Sequence, residues 1–241
     1  MTEPVRLSRR IAEIAGCSRR DAELYIEGGW VRVDGEIVDD PLFKVENERV
    51  ELHPNATAEP LEPVTLLLNK PAGYGPAEGD RPLLELLEPE RRDIADRCPI
   101  QTLRNHLRRQ TLVTPLDAAA EGLIVFTQDF RTRRRLEEEA HLIEQEILVD
   151  VRTKPSDEIV ARLNRGGLMF EGKPAPAMKV SRQSETRLRV AVKGYRPGML
   201  ADLCAQVGLE TVSIRRIRIG RIPMASLPSG KWRFVNTMER F

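Results

Sequence analysis

An aspartate, Asp117, stands in the loop TPLDAAAEG that leads into the apolar stretch at residues 122–127. A carboxylate so placed has two uses. It can cap the backbone of a turn or helix start, the commoner role of a loop aspartate, or it can attack an electrophilic carbon and form a covalent intermediate. Few other residues offer chemistry. Cys17, Cys98 and Cys204 are far apart, odd in number and without metal-ligand spacing, and the three histidines do not group with them, so no metal site and no disulfide framework is expected. Gly166-Gly167 follows a helical stretch rather than a strand, which leaves no phosphate-cradling loop and no nucleotide cofactor. Arginine is the other informative type. Between residues 5 and 20 five arginines (Arg6, Arg9, Arg10, Arg19, Arg20) stand against the single acid Glu13, whereas residues 34–51 are acidic. The run RTRRR adds Arg131, Arg133, Arg134 and Arg135, and residues 181–241 carry twelve basic side chains and four acids. Such clusters suit a phosphate backbone, or else form solvated helix faces.

The elements that must position these residues follow from periodicity. A chain of 241 residues with 41% hydrophobic and 31% charged side chains can bury a core, either as one domain or as a small and a larger one. No apolar run reaches the roughly 20 residues needed to cross a bilayer and the N-terminus lacks the apolar core of a signal peptide, so a cytoplasmic protein is expected. Leu7, Ile11 and Ile14 recur at helical spacing and end at Gly16; Ser18 then caps a second helix with Ala22, Tyr25 and Ile26 as its apolar stripe. Val31 and Val33 alternate with polar residues up to an Asp34-Gly35 turn, the signature of a hairpin. Residues 53–63, with three prolines and no period, read as a linker between a domain at 1–52 and one at 64–241. Within the latter, strands are expected at GLIVFT, EILVDV, PAMKVS, RLRVAV and SIRRIRIG, and helices near 130–139, 156–163 and 198–207. Strands outnumber helices without alternating with them, which predicts an α+β fold on a mixed, mainly antiparallel sheet. Residues 80–110 give no clear pattern.

Two stretches carry a resemblance to a known family. Residues 6–52, with SRRDA opening a helix and IEGGWVRVDG leading into the hairpin, resemble an S4-like RNA-binding domain, which implies that Arg6, Arg9, Arg10, Arg19 and Arg20 face RNA. In the second domain VTLLLNKPAG, TPLDAAAEGLIVFTQD and the closing SIRRIRIGRIPMASLPSGKWRFV resemble bacterial ribosomal RNA pseudouridine synthases. That resemblance implies isomerisation of uridine in a flipped-out nucleotide with Asp117 as nucleophile, no cofactor, ribosomal RNA as partner and a monomeric protein.

The same resemblance exposes departures around the nucleophile. Where the family has a lysine and a base-stacking tyrosine, QEILVDV supplies Gln145 and Ile147. The family's Q-x-R-R stretch falls on Met199, Ala201 and Asp202, and its Gly-Arg before the Leu-Asp pair is replaced by Thr114-Pro115. An ionised aspartate in an apolar pocket needs a nearby cation to offset desolvation. Arg196 is the nearest candidate in sequence, and Lys70 of the Asn-Lys-Pro step is expected at the surface. Two readings stay open: an active synthase with Arg196 as compensating cation, and a pseudoenzyme that binds ribosomal RNA without turnover. A small-molecule enzyme finds no supporting motif.

Overall fold

The computed structural model of the chain describes residues 3–241. Two compact units emerge, one running up to Pro63 and including Ile100–Gln110, the other formed by Val64–Pro99 and Thr111–Phe241.

In the first unit the helices Leu7–Ala15 and Arg19–Glu27 pack on a three-stranded sheet in which Val31–Val33 lies between Glu36–Ile37 and Val50–Leu52. Local signals explain the boundaries. Gly16 ends the first helix in the left-handed conformation (φ 60°), and the Ser18 hydroxyl accepts from the backbone N–H of Asp21 at 3.1 Å to start the second. Asp34 and Gly35 both take positive φ, 50° and 87°, as a two-residue hairpin turn with native twist requires. Leu7, Ile11, Ala22, Ile26, Val31, Val33 and Val45 form the core. Ile14 faces outward instead, 51% exposed, because the first helix buries only the Leu7/Ile11 edge of its stripe.

The segment expected to run unbroken from residue 64 leaves the second unit at Ile100 and rejoins it at Thr111. Its short helix Arg104–Leu107 explains part of the acidic stretch in the first unit. Arg104 donates from Nη1 to Asp40 (3.0 Å) and from its backbone N–H to Asp39 (2.5 Å), and Leu103 lies against Gly29, where a Cβ would come within 2.8 Å of Leu103 Cδ2.

The second unit is built on a nine-stranded mixed sheet whose main path runs Met178–Arg182, Arg187–Lys193, Glu144–Val151, Thr211–Ile219, Glu121–Thr127, Thr65–Lys70, Trp232–Phe234. Along that path every pairing is antiparallel except Glu121–Thr127 with Thr211–Ile219. Helices Phe130–Glu138, Asp157–Arg165 and Met199–Gln206 lie where periodicity places them. Strand Glu144–Val151 alternates strictly, burying Gln145, Ile147, Val149 and Val151 while Glu144, Glu146 and Asp150 point outward. Leu67, Leu123, Val125, Leu136, Ile143 and Ile219 belong to one core cluster.

The parallel junction on this path needs a glycine. Gly122 pairs with Arg216 at φ 104°, and a Cβ there would lie within 2.7 Å of Arg216 N and closer still to its carbonyl oxygen. Both neighbours are backbone, so neither can rotate away. Gly122→Ala is expected to destabilise the protein by about 3 kcal/mol or more through strand separation and unfavourable φ. Chemical denaturation checks this, and a midpoint within error of wild type would refute it.

Among the described residues no helix is long and apolar enough to cross a membrane, and no group of three or more His, Cys, Asp or Glu side chains is placed to hold a metal ion.

Candidate active site

Asp117 is half-buried in the loop between the short strand Thr111–Leu112 and strand Glu121–Thr127. Both carboxylate oxygens are engaged by backbone. Oδ1 accepts from Ala120 N at 2.9 Å, the local cap that a loop aspartate commonly makes. Oδ2 accepts from Gly198 N, also at 2.9 Å and 81 residues away in sequence. Gly198 is the N-cap of helix Met199–Gln206, so the carboxylate lies against the end of a helix where backbone N–H groups carry partial positive charge. Each oxygen keeps a lone pair. The arrangement fixes the direction of the carboxylate without exhausting its capacity to attack or to accept.

Two buried cations grip the loop on either side of Asp117. Lys70, at the end of strand Thr65–Lys70, is fully buried and its Nζ donates to three carbonyls, Tyr74 O (2.5 Å), Pro71 O (3.1 Å) and Ala118 O (3.2 Å). Ala118 O also accepts from Gly73 N at 2.8 Å. Arg216, 1% exposed, donates from Nε to Leu123 O (2.7 Å), from Nη1 to Gln145 Oε1 (3.0 Å) and from Nη2 to Thr114 O. The Thr114 hydroxyl in turn accepts from Val125 N at 2.8 Å. One cation therefore pins the residue after Asp117, and the other pins a residue three before it.

Burial drives both cations toward neutrality. It pushes the Lys70 ammonium down to about 8, opposed by the Asp117, Asp80 and Glu121 carboxylates and reinforced by Arg216. It pushes the Arg216 guanidinium down to about 10, opposed by Tyr195. The cation coupled to Asp117 is thus Lys70, which corrects the expectation of a surface lysine.

Arg196 does not fill the role expected of it. Its Nη1 donates to Glu171 Oε2 at 2.8 Å, its Nη2 to Phe170 O at 3.4 Å, and its guanidinium carbon sits 4.7 Å from the centroid of the Phe170 ring. The side chain is committed to an acid, a carbonyl and an aromatic face. Gln145 and Ile147 are both buried, and Gln145 serves as a neutral acceptor for Arg216. A lysine at 145 would set a second cation against that guanidinium, so a neutral side chain suits this position. Met199 is buried in the first turn of its helix, and Asp202 accepts from Gln206 four residues on.

The basic clusters also sort themselves. In helix Phe130–Glu138, Arg133 pairs with Glu137 (3.0 Å), Arg134 with Glu138 (3.0 Å) and Arg135 with Glu139 (3.8 Å), while Arg131 lies in the field of Asp129. The expected RNA-facing patch at Arg131, Arg133, Arg134 and Arg135 thus has an acid beside each arginine, in exposed pairs of the weak i,i+4 kind. The excess in residues 181–241 is offset by acids from elsewhere: Arg187 pairs with Asp150, Arg189 and Arg218 with Glu146, and Arg215 with Glu121. In the first unit Arg9 and Arg19 pair with Glu13 and Glu23 four residues on. Arg6, Arg10 and Arg20 have no acidic partner among the described residues.

The chain matches no family model. It is 27% identical over 240 residues to an RNA pseudouridine synthase of Aquifex aeolicus (strain VF5) that is itself uncharacterized, spanning 98% of this chain and 94% of that one. It is 28% identical over 234 residues to the ribosomal small subunit pseudouridine synthase A of Escherichia coli (strain K12), spanning 95% of each. Identity is also 28% over 236 residues with the dual-specificity RNA pseudouridine synthase RluF of the same strain, spanning 95% of this chain and 74% of that one. Among solved structures, the crystal structure of a pseudouridylate synthase superposes with a TM-score of 0.61 at 22% identity, over 96% of both chains.

Proposed function

We propose that this chain, a homologue of RNA pseudouridine synthases along almost its entire length, isomerises uridine to pseudouridine in ribosomal RNA with Asp117 as the nucleophile. The observation that carries the reading is the Asp117 carboxylate itself, aimed by Ala120 N and Gly198 N within a loop that Lys70 and Arg216 hold on both sides. Two buried cations and two dedicated N–H groups spent on one surface loop are more than a structural cap needs.

The chemistry asks for a preorganised carboxylate and little else. One Asp117 oxygen bonds to ribose C1′ as the C1′–N1 bond breaks and its electron pair leaves with the uracil. The base turns, C5 bonds to C1′, and the carboxylate is released. The net change transfers one proton from C5 to N1, so neither an oxidant nor a cofactor enters. The uridine must first leave its stack, at a cost of a few kcal/mol that contacts to the RNA backbone offset.

Those contacts are assigned here to the first unit, read as an S4-like RNA-binding module. Of the five arginines between residues 5 and 20, Arg6, Arg10 and Arg20 are the ones with no acidic partner among the described residues. Reversing these three together is expected to weaken RNA binding and to flatten the slope of log K against log salt by about 2 to 3, whereas reversing Arg9 and Arg19 has a smaller effect. Equal effects from the two sets would remove the distinction, and an unchanged slope in the triple variant would remove the assignment.

The enzyme reading is tested by mapping pseudouridine in ribosomal RNA from cells lacking the gene. One site is expected to disappear and to return when the wild-type protein is supplied. A complete set of sites in the deletion strain, with no modification by purified protein of the unmodified RNA, would overturn it.

A further inference from the structure

Among the described residues the Tyr195 hydroxyl is a buried side-chain donor with no hydrogen-bond partner in the protein, and the residue as a whole is 8% exposed. A buried unpartnered donor is uncommon and costs stability, so its position matters. Tyr195 precedes by three residues the Gly198 whose N–H holds Asp117 Oδ2. Its ring lies 5.8 Å from the guanidinium carbon of Arg216, the side chain that grips Thr114 three residues before Asp117. The ring therefore lies beside one support of the carboxylate, Arg216, and in the loop that leads to the other, Gly198. Gly194 and Gly198, at φ 67° and 78°, bracket its loop.

We propose that Tyr195 is a substrate-contact residue whose hydroxyl donates a hydrogen bond to a carbonyl oxygen of the uracil during the reaction. The inference rests on the synthase reading. When C1′–N1 breaks, the departing electron pair is shared by N1 and the two uracil carbonyl oxygens, and a donor aimed at one of those oxygens stabilises the detached base and holds it while it turns. The phenol keeps its proton throughout. Burial and the Asp117 carboxylate both push its ionisation well above the usual tyrosine range, against a smaller opposing effect of Arg216, so it is a permanent donor at neutral pH. The missing partner in the free protein is then supplied by the nucleotide.

Tyr195→Phe separates this role from a structural one, since it keeps the ring against Arg216 and removes only the hydroxyl. Single-turnover pseudouridine formation on ribosomal RNA fragments is expected to slow by about 10- to 100-fold with RNA affinity unchanged, while the melting temperature stays equal to wild type or rises. A Tyr195→Phe protein that turns over at the wild-type rate overturns the inference and leaves the synthase reading intact. So does one whose slower rate comes with a lower melting temperature, because the hydroxyl would then be supporting the fold. A wild-type protein that forms no pseudouridine overturns both readings together.

Discussion

Asp117→Asn is expected to lower single-turnover pseudouridine formation by about 10⁴-fold or more while leaving the protein folded. An amide cannot take the place of a carboxylate nucleophile, yet it has the same shape. The two backbone contacts make the cost to the fold calculable. Ala120 N and Gly198 N each need an acceptor, and an asparagine has one oxygen to offer where the aspartate has two. One N–H loses its partner and faces an NH₂ group, at about 1–3 kcal/mol, which for a unit of this size lowers the melting temperature by roughly 2–12 °C. Asp117→Glu supplies the complementary test. It keeps the charge but moves the carboxylate about 1 Å outward, away from both N–H groups, and about 10²-fold in rate should be lost by misplacement alone. The expected order is wild type, then Glu, then Asn. Rapid-quench turnover of the three proteins checks it, and an asparagine variant within tenfold of wild type would mean that Asp117 is a cap and the nucleophile lies elsewhere.

The scaffold was legible in the sequence wherever a local rule decided it. Ser18 as a cap, Gly16 as a stop and Asp34-Gly35 as a tight turn are each dictated within four residues of chain, and the alternation of strand Glu144–Val151 by its own period of two. The paired charges of helix Phe130–Glu138 were equally legible, because Glu137, Glu138 and Glu139 stand four residues after Arg133, Arg134 and Arg135. The return of Ile100–Gln110 to the first unit was not legible, since Arg104 finds Asp39 and Asp40 across more than sixty residues.

The supports of Asp117 were hidden for a different reason. Arg196 lies two residues from Gly198, so proximity in sequence favoured it, but proximity does not say where a side chain points, and Glu171 and the Phe170 ring take it elsewhere. Lys70 and Arg216 are buried cations whose acceptors are mostly backbone carbonyls. Every residue has a carbonyl, so no side-chain pattern announces one that is waiting for a lysine or an arginine. The departures from the family at Gln145 and Ile147 therefore look like losses when read along the chain. Within the folded unit Gln145 is an engaged acceptor and Ile147 a fully buried core residue.

Arg216→Met carries that reasoning to a measurable end. Methionine fills much of the same volume and removes every donor, leaving Leu123 O, Thr114 O and Gln145 Oε1 short of a partner. Three weakened acceptors at about 1–3 kcal/mol each set the loss, and relief from burying a guanidinium, already pushed down to about 10, offsets part of it. The net is about 3 kcal/mol, which is large against a typical total of 5–15 kcal/mol and corresponds to about 6–12 °C in melting temperature. Gln145→Leu removes one bond of the three and leaves the arginine in place, so about 1 kcal/mol is expected. The two together should cost less than their sum, because the acceptor orphaned by Arg216→Met no longer exists when residue 145 is leucine. Turnover adds a second coordinate. Assayed below its melting transition, Arg216→Met is expected to lose about 10²-fold in rate, since Thr114 O is no longer pinned and the attacking carboxylate three residues on is less well placed. Gln145→Leu leaves that anchor intact and should stay near the wild-type rate. An Arg216→Met protein that melts within 2 °C of wild type and turns over normally would show that the loop holds Asp117 without this cation, leaving Lys70 and the two backbone N–H groups as sufficient support.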